Sequence, residues 1–151
     1  AGIYPHWKVE EILSLATLIE DSLKSEKYRE FIKALWSNDP DKWDESLSKQ
    51  QKLIFSVNVF TRMRYLKKDL SLDFHTKSNP KDIRSNNLIP WYDINSNVYK
   101  KYKIIIGHWS TLGFENKSNV ISIDTGCVWG NKLTAIKIEK NKNIEKYEIN
   151  C

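Results

Sequence analysis

From Val9 to Leu23 the apolar residues Ile12, Leu15, Ala16, Ile19 and Leu23 recur at steps of three and four. That spacing predicts an amphipathic helix, with Glu10 and Glu11 in the first turn, where the helix dipole favours negative charge. A second stripe of Tyr28, Phe31, Ile32 and Leu35 predicts another helix capped by Ser25, the two making a helical hairpin. Asn38, Asp39 and Pro40 interrupt the pattern between Trp36 and Trp43, which predicts a loop anchored by its two tryptophans. Ser48 and Gln51 have the spacing of a capping box, and the run from Leu53 to Phe60 is apolar on most of a helical circumference, so a largely buried helix is expected there.

The period then changes. Leu70, Leu72 and Phe74 alternate with Ser71, Asp73 and His75, the pattern of a half-buried strand, and Met63 to Leu66 can pair with it across Lys67, Lys68 and Asp69. Residues 76 to 101 are polar, with Pro80 and Pro90, and read as a long excursion that closes with a short helix at Asn95 to Lys101. A loop of that length is often functional. Strands are expected at Tyr102 to Ile106, Val120 to Ile123, Leu133 to Ile138 and Ile144 to Ile149, separated by turns rich in Gly, Asn, Ser and Lys. The first of these reads as buried. No repeat or linker divides the chain, so residues 1–151 form one unit: 1–60 mainly helical, 61–76 a hairpin, 77–101 a long loop and 102–151 strands.

Composition narrows the functional classes. A chain of 151 residues with 40% hydrophobic content and 6 Trp can bury a core, which excludes global disorder. The net charge of +5 lies wholly in the second half, since residues 1–75 carry 12 basic against 12 acidic side chains and residues 76–151 carry 12 against 7. That excess could favour anionic partners, but the lysines are scattered without interleaved aromatics, so a lysine-coated surface is a better reading than a nucleic-acid footprint. Cys127 and Cys151 make no disulfide framework, no apolar stretch approaches a membrane span, and the chain opens without a basic and apolar leader. The expectation is a cytoplasmic protein with no membrane partner. The chain starts at Ala1-Gly2-Ile3-Tyr4-Pro5 in turn-like sequence without a methionine, which suggests that its beginning is missing.

Few residues can carry chemistry. His6 lies in the Pro5-His6-Trp7 turn and His75 at a strand end, where surface or structural roles fit best. His108 follows the apolar run Ile104 to Ile106 and Gly107, the strand-end setting in which a ligand-bearing side chain emerges; it is either a metal ligand, a base or a packed structural histidine. Arg62 and Arg64 leave a buried helix and enter a strand, and their planar cationic forks suit phosphate; surface ion pairs are the equal alternative. Asp124, before Thr125 and Gly126, either ligates a metal or, more commonly, bonds its own turn amides. Cys127, in apolar surroundings, reads as a buried inert thiol rather than a nucleophile. Phosphate-loop, nucleophile-elbow and paired-cysteine zinc patterns are absent.

Several segments match a known pattern. Ala1-Gly2-Ile3 with Pro5-His6-Trp7, Asn58-Val59-Phe60-Thr61-Arg62-Met63-Arg64, Pro90-Trp91-Tyr92, Gly107-His108-Trp109 and Asp124-Thr125-Gly126-Cys127-Val128-Trp129-Gly130 resemble, in order and approximate spacing across residues 1 to about 138, the symmetrical bis(5′-nucleosyl)-tetraphosphatases of the calcineurin-like metallophosphoesterase superfamily. The resemblance covers only the C-terminal half of such an enzyme. It implies an α+β or α/β fold: the C-terminal portion of a β-sandwich flanked by helices, here with an N-terminal helical segment.

It also implies a function. The family hydrolyses diadenosine tetraphosphate to two ADP, using two divalent cations, manganese or cobalt, that activate water and polarise the phosphoryl group. His108 matches the last metal-ligand histidine, and Arg62 and Arg64 match arginines to which their chemistry assigns phosphate contact. The family patterns Gly-Asp-x-His-Gly, Gly-Asp with a following Arg-Gly, and Gly-Asn-His-Asp are absent, as are the histidine ahead of Ala1-Gly2 and the one expected as general acid. The expected partners are a dinucleoside polyphosphate substrate and the missing N-terminal half. The isolated chain is expected to be inactive, and marginal or association-prone because of open strand edges and apolar faces. Two other readings remain: a non-catalytic remnant or basic interaction module, and a related metallophosphoesterase with another phosphate ester as substrate.

Overall fold

The computed structural model describes residues 1–84, 87–117, 119–139 and 144–151. Its architecture is α+β, with helices first and strands interleaved afterwards. In order come α1 (Val9–Lys24), α2 (Tyr28–Ala34), α3 (Lys49–Thr61), β1 (Tyr65–Lys67), β2 (Leu72–Asp73), β3 (Leu88–Pro90), α4 (Asn97–Lys101), β4 (Ile104–Ile106), β5 (Glu115–Lys117), β6 (Val120–Ser122), β7 (Lys132–Ile138) and β8 (Ile144–Asn150). Among the described residues the strands form two three-stranded sheets, β2-β1-β3 and β4-β6-β5, and a two-stranded ribbon of β7 and β8.

Helix α3 is the organising element. Its start is fixed by the Ser48–Gln51 capping box, in which Gln51 N donates to Ser48 Oγ at 3.3 Å and Ser48 N donates to Gln51 Oε1 at 3.0 Å. Leu53, Ile54, Phe55 and Val59 are buried along it. Around Phe55 gather Tyr4, Trp7 and Trp43, with ring centroids 5.2, 6.0 and 5.5 Å away. The opening turn, closed by Trp7 N to Tyr4 O at 3.2 Å, is therefore core rather than fringe. Gly2 meets the buried Trp91 ring so closely that an added Cβ would lie 2.5 Å from Trp91 Cε2.

Several expectations are corrected. Ser25 does not cap α2: Lys27 holds that position without a side-chain bond, and Ser25 Oγ donates back to Ser22 O at 2.8 Å. None of the apolar stripe of α2 is buried: Phe31 and Leu35 are half-buried beside Leu53 and Ile54 of α3, while Tyr28 and Ile32 are exposed. The two loop tryptophans have opposite fates: Trp43 packs on Trp7, centroids 5.1 Å apart, while Trp36 is 85% exposed.

Residues 77–101, expected as a polar loop, carry β3, which pairs antiparallel with β1 (Leu66 opposite Ile89), and the buried Trp91 and Tyr92. Pro90 ends that strand at the sheet edge, where a missing N–H costs no ladder bond. Residues 85 and 86 of this segment lie outside the described residues, as do residues 140–143, where the sequence predicts a turn.

The expected buried strand at β4 is only half so. Ile106 is buried, whereas Ile105 is 44% exposed, because β4 is an edge strand of the β4-β6-β5 sheet; its register partner Ile121 on the central strand β6 is fully buried. On the ribbon, Leu133 opposite Ile149 and Ala135 opposite Tyr147 leave one exposed apolar face. No helix among the described residues is long and apolar enough to cross a membrane.

Candidate phosphate and metal site

Two connections converge on the candidate residues. Arg62 caps the C-terminus of α3, and Arg64 lies two residues on, just before β1. His108 follows β4 through Gly107 and sits at φ 68°, the left-handed region that disfavours a side chain with a Cβ. The buried Trp109 beside it and a bond from Arg64 Nη2 to His108 O at 3.0 Å hold that conformation. His108 lines a cleft together with Val57, Asn58 and Thr61 of α3. Gly107 itself leaves room, since an added Cβ would meet only Asp124 Cβ at 3.9 Å, so close backbone approach is not what requires glycine there.

Arg62 is fixed on three sides. Its Nη1 donates to Asn58 Oδ1 at 2.8 Å, its Nη2 to Asn38 Oδ1 at 2.9 Å, and its guanidinium lies 4.6 Å over the Phe74 ring. Neither Arg62 nor Arg64 is in an ion pair among the described residues. The surface salt bridges considered for them are thus absent there, and two cations stand close together without a paired carboxylate. Arg64 shows the consequence: burial and then the like charge of Arg62 lower its proton affinity, with Asp124 opposing. Its Nε is buried without a hydrogen-bond partner.

The pKa of His108 is lowered from 6.5 to about 4, chiefly by partial loss of water around the ring and then by the positive charges of Arg64 and Arg62, against the opposing charge of Asp124. The ring is neutral at neutral pH, the form whose lone pair binds a metal. Asp124 Oδ1 accepts from Gly126 N at 3.1 Å, the turn-bonding alternative for this residue. Among the described residues no group of three or more His, Cys, Asp or Glu side chains could hold a metal ion. His108 can serve as one ligand, but the described residues do not complete a metal site.

Cys127 corrects the reading of an inert thiol. It is joined to Cys151, with Cα atoms 5.4 Å apart, because β8 returns antiparallel along β7 and brings Cys151 N to Asn131 O at 2.8 Å. His6 and His75 are exposed, and His75 follows Phe74, the ring beneath the Arg62 guanidinium. A cleft of about 510 Å³ beside His6, between the opening turn and α4, contains none of the candidate residues.

A second cleft, of about 380 Å³, contains two of them: Leu35, Trp36, Val57, Thr61, Arg62 and His108 line it, whereas Arg64 does not. Trp36 was missed in the sequence as a site residue. The available signal was Asn58, a polar residue inside the apolar run of α3. It is 1% exposed, and its Nδ2 donates to Ser37 O at 2.9 Å, which holds the Trp36 loop against the helix.

No family model matches the chain. Among curated proteins it is related over nearly its whole length to several named symmetrical bis(5′-nucleosyl)-tetraphosphatase. The protein from Nitrosospira multiformis is 39% identical over 142 residues, covering 94% of this chain and 51% of the relative. That from Aliivibrio fischeri is 37% identical over 94% of this chain and 52% of its own length. That from Neisseria gonorrhoeae is 43% identical over 92% of this chain and 50% of its own length. The chain thus spans about half the length of the curated relatives it matches.

Proposed function

We propose that this chain is the C-terminal part of a metal-dependent hydrolase of the calcineurin-like kind that cleaves dinucleoside tetraphosphates symmetrically, giving two ADP from diadenosine tetraphosphate. The similarity to proteins of that name supports the reaction. The single structural observation that carries it is the pair Arg62 and Arg64, without carboxylate partners among the described residues, with Arg64 bonded to the His108 carbonyl.

In this reading Arg62 and Arg64 orient phosphoryl oxygens through charge-assisted N–H bonds and offset their negative charge. Arg62 has two of its N–H groups committed to Asn58 and Asn38, so it acts as a fixed charge with the remaining donors free for the ligand. Arg64 links substrate to His108 through the bond to the His108 carbonyl, so the histidine and the phosphate contact are set in one geometry. His108 contributes one neutral imidazole ligand. A divalent cation, manganese or cobalt, supplies Lewis-acid chemistry when bound. Its other ligands must come from outside the described residues, and no step is derived through it.

The isolated 151 residues are therefore expected to leave diadenosine tetraphosphate intact in manganese. The protein as encoded is expected to convert it to ADP, at a rate that falls at least about 100-fold in His108→Ala, a loss of the size seen when a metal's immediate environment is disturbed. Equal amounts of ATP and AMP would overturn the symmetrical reading. A cytoplasmic location is part of the proposal. In a reducing compartment the Cys127–Cys151 bond opens, so two free thiols are expected in protein alkylated directly in cells.

A further inference from the structure

Of the six tryptophans, Trp7, Trp91 and Trp109 are at most 2% exposed, whereas Trp36 is 85% exposed. Leaving an indole in water forgoes the burial that stabilises its counterparts. Trp129 is also exposed, at 75%, but it is not among the residues lining the cleft that contains Arg62 and His108. Trp36 is.

Its backbone is also held. Ser37 O accepts from the buried Asn58, and Asn38 Oδ1 accepts from Arg62, at 2.9 Å in each case. Arg62 and Asn58 therefore hold the backbone that carries Trp36 beside the guanidinium, while the indole itself is left open to solvent. The other side chains around the ring, Leu35, Val57 and Thr61 among them, include no carboxylate. One end of the cleft suits an anion and the rest suits a flat, uncharged ring. The volume of about 380 Å³ lies at the small end of the range for ligand pockets.

We propose that Trp36 is the stacking platform for one nucleobase of a nucleoside polyphosphate whose phosphates are held at Arg62 and Arg64. The proposal rests on the phosphate-binding reading of that pair. A planar aromatic surface stacks on any base and discriminates weakly between them, so the site would accept purine nucleotides generally, with the phosphate contacts fixing register.

The test compares ADP with pyrophosphate, which share the number of phosphates and differ by the nucleoside, in calorimetric titrations of the protein as encoded. Trp36→Ala is expected to weaken ADP binding roughly 5- to 150-fold, the range for one lost base stack, and to leave pyrophosphate unchanged. Trp36→Phe should restore most of the loss. The indole N–H resonance missing from Trp36→Ala should shift with ADP and stay still with pyrophosphate. Equal ADP affinity in wild type and Trp36→Ala, or an equal loss of pyrophosphate, overturns the proposal. If wild type binds pyrophosphate and ADP no more tightly, Trp36 alone is misassigned. If it binds neither, the phosphate reading of the arginine pair fails and the Trp36 proposal falls with it. Because Trp36 is exposed, an unchanged melting temperature separates these outcomes from misfolding.

Discussion

The tryptophan-rich core and the α2 rim are made from the same kinds of residue and end in opposite states. In the core, Trp91 meets Gly2, Tyr92 and Tyr99, and Trp109 meets Tyr65 and Tyr92, so each indole is enclosed by elements distant in sequence. On the rim, Tyr28, Ile32 and Trp36 are 39%, 40% and 85% exposed, although their spacing is as regular as that of any buried helix. The difference teaches that periodicity selects the helix and its face, whereas burial depends on whether another layer reaches that face. The candidate residues Arg62 and His108 lie at the boundary between the two regions, where α3 passes from the core to the Trp36 cleft.

The largest effect that would break this contrast is in the core. Trp91→Ala is expected to cost about 3–5 kcal/mol in denaturant unfolding, as for other large-to-small changes at buried aromatics. Trp129→Ala, at an exposed position, should stay within about 0.5 kcal/mol. Comparable losses at both would show that Trp129 is covered in solution and would erase the distinction.

How far the sequence anticipated this depends on which interactions are local. Helices α1 and α3 follow from side-chain spacing and from Ser48 with Gln51, all contained within a few residues; the β1–β2 pairing is present, but the expected alternation is not, since Ser71, Leu72 and Asp73 are all buried. Strand β3 was hidden because a three-residue segment ending in Pro90 has no alternation to read, and its partner β1 is more than twenty positions away. The Cys127–Cys151 link was hidden because it depends on β7 and β8 folding back on each other, which two cysteines alone do not specify. In the site, Arg62, Arg64 and His108 stood out singly by residue type and motif. That Arg64 reaches the carbonyl of a residue 44 positions later, and that Trp36 faces the same cleft, are products of tertiary contact.

A smaller effect probes the boundary itself. Asn58→Ala removes the donor to Ser37 O and the acceptor of Arg62 Nη1, leaving a carbonyl and a guanidinium N–H without those partners. The expected loss is about 1–3 kcal/mol, the range for buried groups left unsatisfied. It should be accompanied by broadening of the Trp36 indole resonance as its loop is released. A stability loss with that resonance unchanged would mean that the loop is held by something other than Asn58.

The smallest effect tests whether the far end of α3 is independent of the site. Ser48→Ala breaks both halves of the capping box, because the hydroxyl is lost and Gln51 no longer has a reciprocal partner to fix its side chain against Ser48 N. A cost of about 1 kcal/mol is expected, typical of an N-cap serine. Ser48 lies ten residues before Asn58, about 15 Å along the helix at 1.5 Å per residue, beyond the distance at which separate substitutions usually interact. The double substitution Ser48→Ala with Asn58→Ala should therefore give the sum of the two losses within about 0.5 kcal/mol in paired urea titrations. Coupling beyond that would show that fraying at the capped end propagates along α3 to Arg62, making the whole helix, rather than its last turn, the support of the cleft.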